Sequence, residues 1–374
     1  MRIDGIILTP AGFVSGGIEV AADGRIERVE GEPLAAAAAR DAGQPLVLPG
    51  FVDLHVHGGG GRDIMEGGDA AMAVAALHAT HGTTSLLATT MTAPYADLEL
   101  AFAGVAPLCG QRVPRGARVL GVHLEGPFIN AGRLGAQPDF TRPFARDELE
   151  RLHALAPVRL ITLAPEAPGN MAAIAALAAA GFKVQLGHSL ASYETGVAAL
   201  AQGASGFTHL FNAMTGLHQR EPGLVGAALA HACYAEIIPD LVHVHPGAMR
   251  AALRCIPRLY CVTDSTAAAG MPDGEFRLGR QTVAKCLGGV RLMDGTLAGS
   301  ALTMDQALRN LVNELGLDIP DASRRVSTFA ADHLGIAERG RLAPGAWADM
   351  VVLDRDLQLL EVLVEGVSIE RAHA

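Results

Sequence analysis

Phe51-Val52-Asp53-Leu54 is an apolar run of strand length, and it delivers the chain to His55-Val56-His57. Side chains alternate between the two faces of an extended strand, so two histidines two residues apart share a side. Runs of the same kind recur at Ser85–Ala88, Val119–His123, Val158–Leu163, Lys183–Leu186, Gly206–Thr208, Ile237–Val242 and Leu259–Thr263. Ala- and Leu-rich segments of helical character separate most of them, among them Met171–Ala180 and Gly247–Arg254. Strands alternating with helices imply a parallel sheet. Eight strands is the number that closes a (β/α)8 barrel. The spacing therefore predicts an α/β fold of TIM type over residues 49–339.

Beyond this stretch the pattern changes. Arg2 to about Val29 reads as short strands broken by turn signals at Pro10-Ala11-Gly12 and Asp23-Gly24, followed by an Ala-rich loop or short helix to about Gln44. The C-terminal stretch, Gly345 to about Arg371, again carries strand-like runs at Met350–Leu353 and Val362–Val364. Short strands alone cannot bury a face. Residues 1–48 and 340–374 are thus expected to meet in one small β-sandwich-like domain rather than remain two tails. Pro272 to about Leu297 is Gly-rich with short alternating runs, and reads as a hairpin insert near 272–297 over the barrel mouth. A helix from Leu302 to about Leu315 then returns to the barrel.

A length of 374 residues suits a large barrel plus a modest second unit. Half of the residues are hydrophobic and 18% are charged, which allows a sizeable core and argues against disorder. Aromatics make up only 4%, so Ala, Leu and Val must fill most of that core. A formal net charge of −10 speaks against a nucleic-acid partner, which needs a basic footprint. A phosphate-bearing substrate would need a local cationic pocket. The five cysteines are scattered, odd in number and form no CxxC pair, as expected of reduced thiols in a cytoplasmic protein. No basic segment followed by a long apolar one opens the chain, and no apolar run reaches about 18 residues, so neither a secretory signal nor a membrane span is expected.

The polar residues fall where the strands end. His55 and His57 follow the first run, Glu125 the third, His188 the fifth, His209 the sixth, His243 the seventh and Asp264 the eighth. In a barrel of this type the C-terminal strand ends converge on one face, where the chemistry sits. Imidazole and carboxylate together suit Zn2+ or a similar borderline ion, with Fe2+ or another divalent ion as alternatives. Such an ion lowers the pKa of a bound water to about 7. Asp264 suits a general base that takes the water's proton and returns it to a leaving amine. Each residue taken singly has a plainer reading: a polar strand end for the histidines, a turn cap for Glu125, a helix N-cap for Asp264. Six such readings, each at an expected strand end, do not explain the joint pattern.

Several segments together resemble the N-acetylglucosamine-6-phosphate deacetylase family of the amidohydrolase superfamily. They are Pro49–Gly58, Gly121–Pro127, Leu186–Ser189, Thr208–Met214, Arg220–Gly223, Cys261–Ser265, Leu297–Met304 and Gly340–Gly345. The resemblance implies a main metal site at Glu125, His188 and His209, and a second metal involving His55, His57 and Asp264, hence one or two ions per chain. It implies that Asp264 is the catalytic acid/base, that Arg220 and His243 grip a phosphate, and that the backbone at Asn212 and Ala213 touches the sugar phosphate. It implies a homodimer with a shared active site, because part of the phosphate grip in the family comes from the neighbouring subunit. One position departs from the pattern. Where the family carries a histidine that polarises the acetyl carbonyl, this chain reads Leu134-Gly135-Ala136-Gln137. Gln137 can donate a hydrogen bond to an oxyanion but cannot carry a proton. His245 also stands where an acidic or amide residue is usual.

The implied reaction removes the acetyl group of N-acetylglucosamine 6-phosphate in amino-sugar catabolism. An N-acetylgalactosamine-6-phosphate enzyme would read much the same. A dihydroorotase-like enzyme would often use a carboxylated Lys, and no Lys lies at an expected strand end. A D-aminoacylase would need no phosphate grip, and an inactive sugar-phosphate sensor would not need a complete ligand set plus Asp264.

Overall fold

The computed structural model describes residues 1–370, so the expected C-terminal limit near Arg371 lies outside the described residues. Six strands form one parallel sheet: Phe51–Val56, Thr83–Thr90, Arg118–Glu125, Val158–Leu163, Lys183–Leu186 and Gly206–Phe207. Two more, Tyr234–Ile237 and Arg258–Cys261, form a parallel pair. Hydrogen bonds bridge both seams. Leu210 N donates to Glu236 O at 2.9 Å, and Asp264 N donates to His55 O at 2.9 Å. Val56 and Ser265 form a parallel bridge beside the second seam. Helices alternate with these strands, among them Ala70–Thr80, Asn170–Ala179 and Pro246–Cys255. The result is a TIM-like α/β fold. Both faces of a parallel sheet are covered, which is why Thr83–Thr90 is buried at every position.

One strand is shifted from its expected place. The seventh runs over Tyr234–Ile237 rather than Ile237–Val242. Pro239 cannot donate to a sheet ladder, and Leu241 adopts a positive φ of 67°, so the chain has left the sheet by then. His243 consequently sits in the loop that follows, six residues past the strand. The expected helix from Leu302 starts at Met304 and passes from α-helix into a π-helical turn over Asn310–Glu314.

A second sheet of seven strands draws on both ends of the chain. Its order is Val367–Ser368, Leu359–Val364, Met350–Leu353, Leu46–Pro49, Arg2–Thr9, Gly12–Val20 and Ile26–Leu34. Met350–Leu353 pairs with Leu46–Pro49, which joins the two ends directly. Period-two alternation sends Ile7, Val47, Met350 and Val352 to one apolar cluster, and Ile6, Leu46, Leu48 and Val351 to the larger core. After the eighth barrel strand the chain forms a three-stranded antiparallel insert, Gly274–Leu278, Gln281–Cys286 and Gly289–Arg291. It is pinned to the barrel mouth, where Gly279 N donates to Asp63 Oδ2 at 2.7 Å and Gln281 donates to the carbonyl of Ala136.

Candidate metal centre and active site

Glu125 is the last residue of its strand and is buried. Its two oxygens face different partners. Oε1 lies 3.1 Å from His188 Nε2 and 3.0 Å from His209 Nε2, and those two nitrogens are 3.0 Å apart. Oε2 lies 3.1 Å from His57 Nε2 and 3.5 Å from His55 Nε2, which are themselves 3.1 Å apart. Asp264 Oδ1 closes the second group at 3.3 Å from His57 Nε2 and 3.4 Å from His55 Nε2. One carboxylate thus joins two sets of donors.

The tautomers follow from what the far ring nitrogens meet. His188 Nδ1 lies 2.8 Å from the carbonyl of Arg133, which can only accept, so Nδ1 carries the hydrogen and Nε2 offers a lone pair. His55 Nδ1 lies 3.0 Å from the carboxylate of Glu236, with the same consequence. Lone pairs crowded at this distance do not satisfy one another. Ligands bound about 2.0–2.1 Å from a tetrahedral ion lie roughly 3.3 Å from each other. The crowding, the nitrogen–oxygen donor set and the fixed tautomers fit a divalent cation.

Charge supports the same reading. Burial alone would push His57 down, but hydrogen bonds to Asp264 and Glu125 raise it to about 9. Burial also opposes charge on His55, yet Glu125, Asp264 and Glu236 hold it well above the usual imidazole range. In return, burial notwithstanding, His55 and its neighbours hold Glu125 well below the usual carboxylate range, and His55 and His57 lower Asp264 against its own burial. The carboxylates therefore need compensating positive charge, which protons or a cation can supply.

Three of these residues have left-handed backbone: His188 at φ 47°, His209 at φ 30° and Asp264 at φ 49°. Non-glycine residues seldom adopt it, and each such residue costs about 1–3 kcal/mol, so the surroundings must impose it. Around His188 they do. Asn130 N donates to His188 O at 2.9 Å, and Glu166 accepts from Asn130 Nδ2, Ser189 Oγ and Leu190 N at 2.8, 2.7 and 2.6 Å. Gly126 follows Glu125 with φ 73°, and a Cβ there would run into Thr92 Oγ1, so the turn admits only glycine.

The cluster floors a cavity of about 220 Å³. His57, Glu125, Gln137, His188, His209 and Asp264 line it, with Asn212, Ala213 and His243 to one side and Leu278 of the insert above. His243 Nδ1 is 2.7 Å from Asp240 Oδ2, and although burial opposes its charge, Asp240 raises it above the ordinary imidazole value. The His243 ring, with its affinity for a proton raised, thus lines the cavity. His245 instead caps the next helix, accepting from Gly247 N at 3.0 Å. Arg220 does not reach this cavity. It is exposed and lines a separate surface cleft with Arg133, Ser192 and His218.

Gln137 is held at both ends of its amide. Thr92 N donates to its Oε1 at 2.6 Å, which fixes the amide orientation, and its Nε2 donates to Glu125 Oε2 at 2.6 Å. Its amide points at the metal-facing carboxylate as much as at the cavity.

Sequence reasoning missed the layer beneath. His123 lies two residues before Glu125, and Asp53 two before His55, so both face inward. His123 Nε2 meets Thr162 Oγ1 at 2.7 Å, Thr162 meets Thr208 Oγ1 at 2.7 Å, and Thr208 donates to Gln185 Oε1 at 3.0 Å. Gln185 donates to Tyr260 OH, which donates to Glu236 Oε1 at 3.3 Å. Asp53 accepts from Thr263 Oγ1 at 2.6 Å. The available signal was a polar residue inside an apolar strand run, at Asp53 and His123 two positions before a candidate site residue and in the other strands at less regular spacing.

The amidohydrolase family profile matches residues 46–369. The chain is 39% identical over 367 residues to an N-acetylgalactosamine-6-phosphate deacetylase of Escherichia coli O157:H7, covering 96% of both chains. It is 41% identical over 327 residues to the N-acetylglucosamine-6-phosphate deacetylase of Vibrio furnissii, covering 86% of this chain and 82% of the relative. A Mycobacterium smegmatis N-acetyl-D-glucosamine-6-phosphate deacetylase, solved as an aspartate-to-alanine variant in complex with N-acetyl-D-glucosamine-6-phosphate, superposes with a TM-score of 0.90 at 36% identity, covering 99% of each chain. With a profile spanning most of the chain and relatives this similar over this length, the chain belongs to the N-acetylglucosamine-6-phosphate deacetylase family of the amidohydrolase superfamily.

Proposed function

We propose that this chain hydrolyses the N-acetyl group of N-acetylglucosamine 6-phosphate, releasing acetate and glucosamine 6-phosphate. The observation that carries the reading is the convergence of Glu125, His188 and His209 within 3.1 Å of one another on the floor of a cavity that Asp264 also lines. Glu125, His188 and His209 would hold one divalent ion, for which Zn2+ fits the donors best, and His55, His57 and Asp264 a second. A bound ion supplies a Lewis acid for the acetyl carbonyl and makes hydroxide available near neutral pH.

The chain's own residues do the rest. Asp264, held ionised beside the two histidines, takes the proton of the attacking water and hands it to the departing nitrogen. His243 offers positive charge to the phosphate. The loop at Asn212 and Ala213, whose carbonyl accepts from Ser189 N at 3.0 Å, presents backbone to the sugar. Arg220, exposed and outside the cavity of its own chain, would serve the site of a second copy, which makes the active form a homodimer. Activity restored by mixing Arg220→Met and Asp264→Asn chains would support that arrangement; no restoration would oppose it. We assign residues 49–339 to a (β/α)8 barrel with an insert near 272–297, and residues 1–48 and 340–374 to a small β-sandwich-like domain. Among the described residues no helix is long and apolar enough to cross a membrane, and we place the enzyme in the cytoplasm on its unpaired cysteines.

The deciding experiment is a panel of N-acetylglucosamine and N-acetylgalactosamine, each with and without the 6-phosphate, assayed for released amine. Fastest release from N-acetylglucosamine 6-phosphate is the expected result. Preference for the galactosamine epimer would move the chain to its E. coli relative's substrate, and indifference to phosphate would overturn the reading.

A further inference from the structure

Glu236 belongs to no motif and does not line the cavity, yet it is wholly buried and touches both donor sets. Its Oε2 accepts from His55 Nδ1 at 3.0 Å and from the backbone N–H of His209 at 3.2 Å. Its Oε1 accepts from Tyr260 OH at 3.3 Å, at the end of the hydrogen-bonded chain that crosses the barrel interior through Gln185 and Thr208. Among the described residues its one charged neighbour within ion-pair distance is His55. A buried carboxylate without a guanidinium or ammonium beside it is costly, so its charge must be answered by positive charge on or beyond the His55 ring.

We propose that Glu236 is a positioning residue for the metal centre: one carboxylate that fixes the His55 ring and the His209 backbone together, and so binds the geometry of each donor set to the other. His209 stands at φ 30°, a conformation that needs an external hold, and the bond from its N–H to Glu236 supplies one. His55 needs its hydrogen on Nδ1 to keep Nε2 free, and Glu236 imposes that tautomer while making the ring a stronger donor. His55 lies on the first strand of the barrel and His209 two residues past the sixth, far apart in sequence. A single group on the seventh strand therefore sets both.

This inference rests on the metal reading above, and the test separates the two. Parent, Glu236→Gln and Tyr260→Phe proteins are stripped of metal, then titrated with Zn2+ against a competing chelator, and with Co2+ while the visible spectrum is followed. Glu236→Gln keeps the shape and loses the charge. It is expected to weaken Zn2+ binding about 10–100-fold, the usual effect of losing such a partner, and to alter the Co2+ absorption bands. Tyr260→Phe removes the hydroxyl that donates to Glu236 and accepts from Gln185, leaves the carboxylate in place, and should shift affinity in the same direction by less. Glu236→Asp, which keeps the charge one methylene short, should recover part of the loss. Melting of the metal-free proteins guards against a fold defect, since a merely structural Glu236 would lower the melting temperature without changing the Co2+ spectrum. A parent that binds no Zn2+ would overturn the metal reading itself. A parent that binds Zn2+, with Glu236→Gln binding it as tightly and with the same Co2+ spectrum, would overturn the role of Glu236 alone.

Discussion

The two donor sets share Glu125 and differ in what stands behind them. His188 is backed by a neutral carbonyl, that of Arg133, and Oε1 of Glu125 faces only His188 and His209. His55 and His57 are backed and flanked by Glu236, Asp264 and Glu125 Oε2, and that last oxygen also accepts from Gln137. The second set therefore concentrates negative charge, and in the absence of a cation it holds protons tightly. Any ion entering it must displace them. On the proposed two-ion reading, this predicts that near neutral pH the first ion enters the first set and the second set fills later.

The largest effect should come from the shared residue. Glu125→Ala removes an oxygen from both sets, so metal content and turnover should vanish together, as elemental analysis and amine release would show. His209→Ala should empty the first set while leaving His55, His57 and Asp264 in place; full turnover by metal-free protein in either variant would break the comparison outright. Asp264→Asn should spare the first set, keeping one ion and substrate binding, while turnover falls by roughly 10²–10⁴. Near-normal turnover there would remove Asp264 from the chemistry.

Proton competition sharpens the contrast. With His57 raised to about 9, cation affinity at the second set should climb about tenfold per pH unit until that value, for each proton displaced. Stability of the metal-free protein runs the other way. The raised His57 contributes stability below its ordinary value of 6.5, and that contribution is lost as pH rises through 9. Zn2+ titrations and melts at pH 6, 7.5 and 9 test both directions, and a second equivalent bound equally at all three would contradict this account of the second set.

Gln137 should give the smallest effect. Its amide spans Thr92 N and Glu125 Oε2, so Gln137→Ala should weaken metal binding by about 10-fold or somewhat more, as loss of a group that orients a ligand does. If it also donates to the developing oxyanion, turnover at saturating metal should drop further, by about 10²–10³. Unchanged turnover at saturating metal would confine Gln137 to orienting Glu125.

The strand ends were legible because period two and apolar runs report local geometry. The runs at Val158–Leu163 and Lys183–Leu186 match the observed strands residue for residue. The seventh strand was not: of Ile237–Val242 only Ile237 belongs to the strand, Ile238 is buried without pairing, Val242 is exposed, and Pro239 cannot continue a ladder. His243 lines the cavity all the same, because its loop folds back to it. Glu236 went unnoticed because a lone acid between Ala235 and Ile237 carries no periodicity of its own. Gln137 was singled out only as a departure from a motif. Nothing local says that its carbonyl meets Thr92 and its amide meets Glu125.

Residue order alone determined that eight apolar runs alternate with helices and that His55, His57, Glu125, His188, His209 and Asp264 stand at or just past the strand ends. Those are properties of φ, ψ and side-chain alternation within a few residues. Tertiary structure alone decided that Glu125 turns one oxygen to each pair of histidines, that Glu236 reaches the His55 ring and the His209 backbone together, and that Arg220 lies outside the cavity of its own chain. Each depends on which strand ends meet across the barrel and at what ångström spacing. Closure of the ring fixes that spacing, and no short stretch of sequence encodes it.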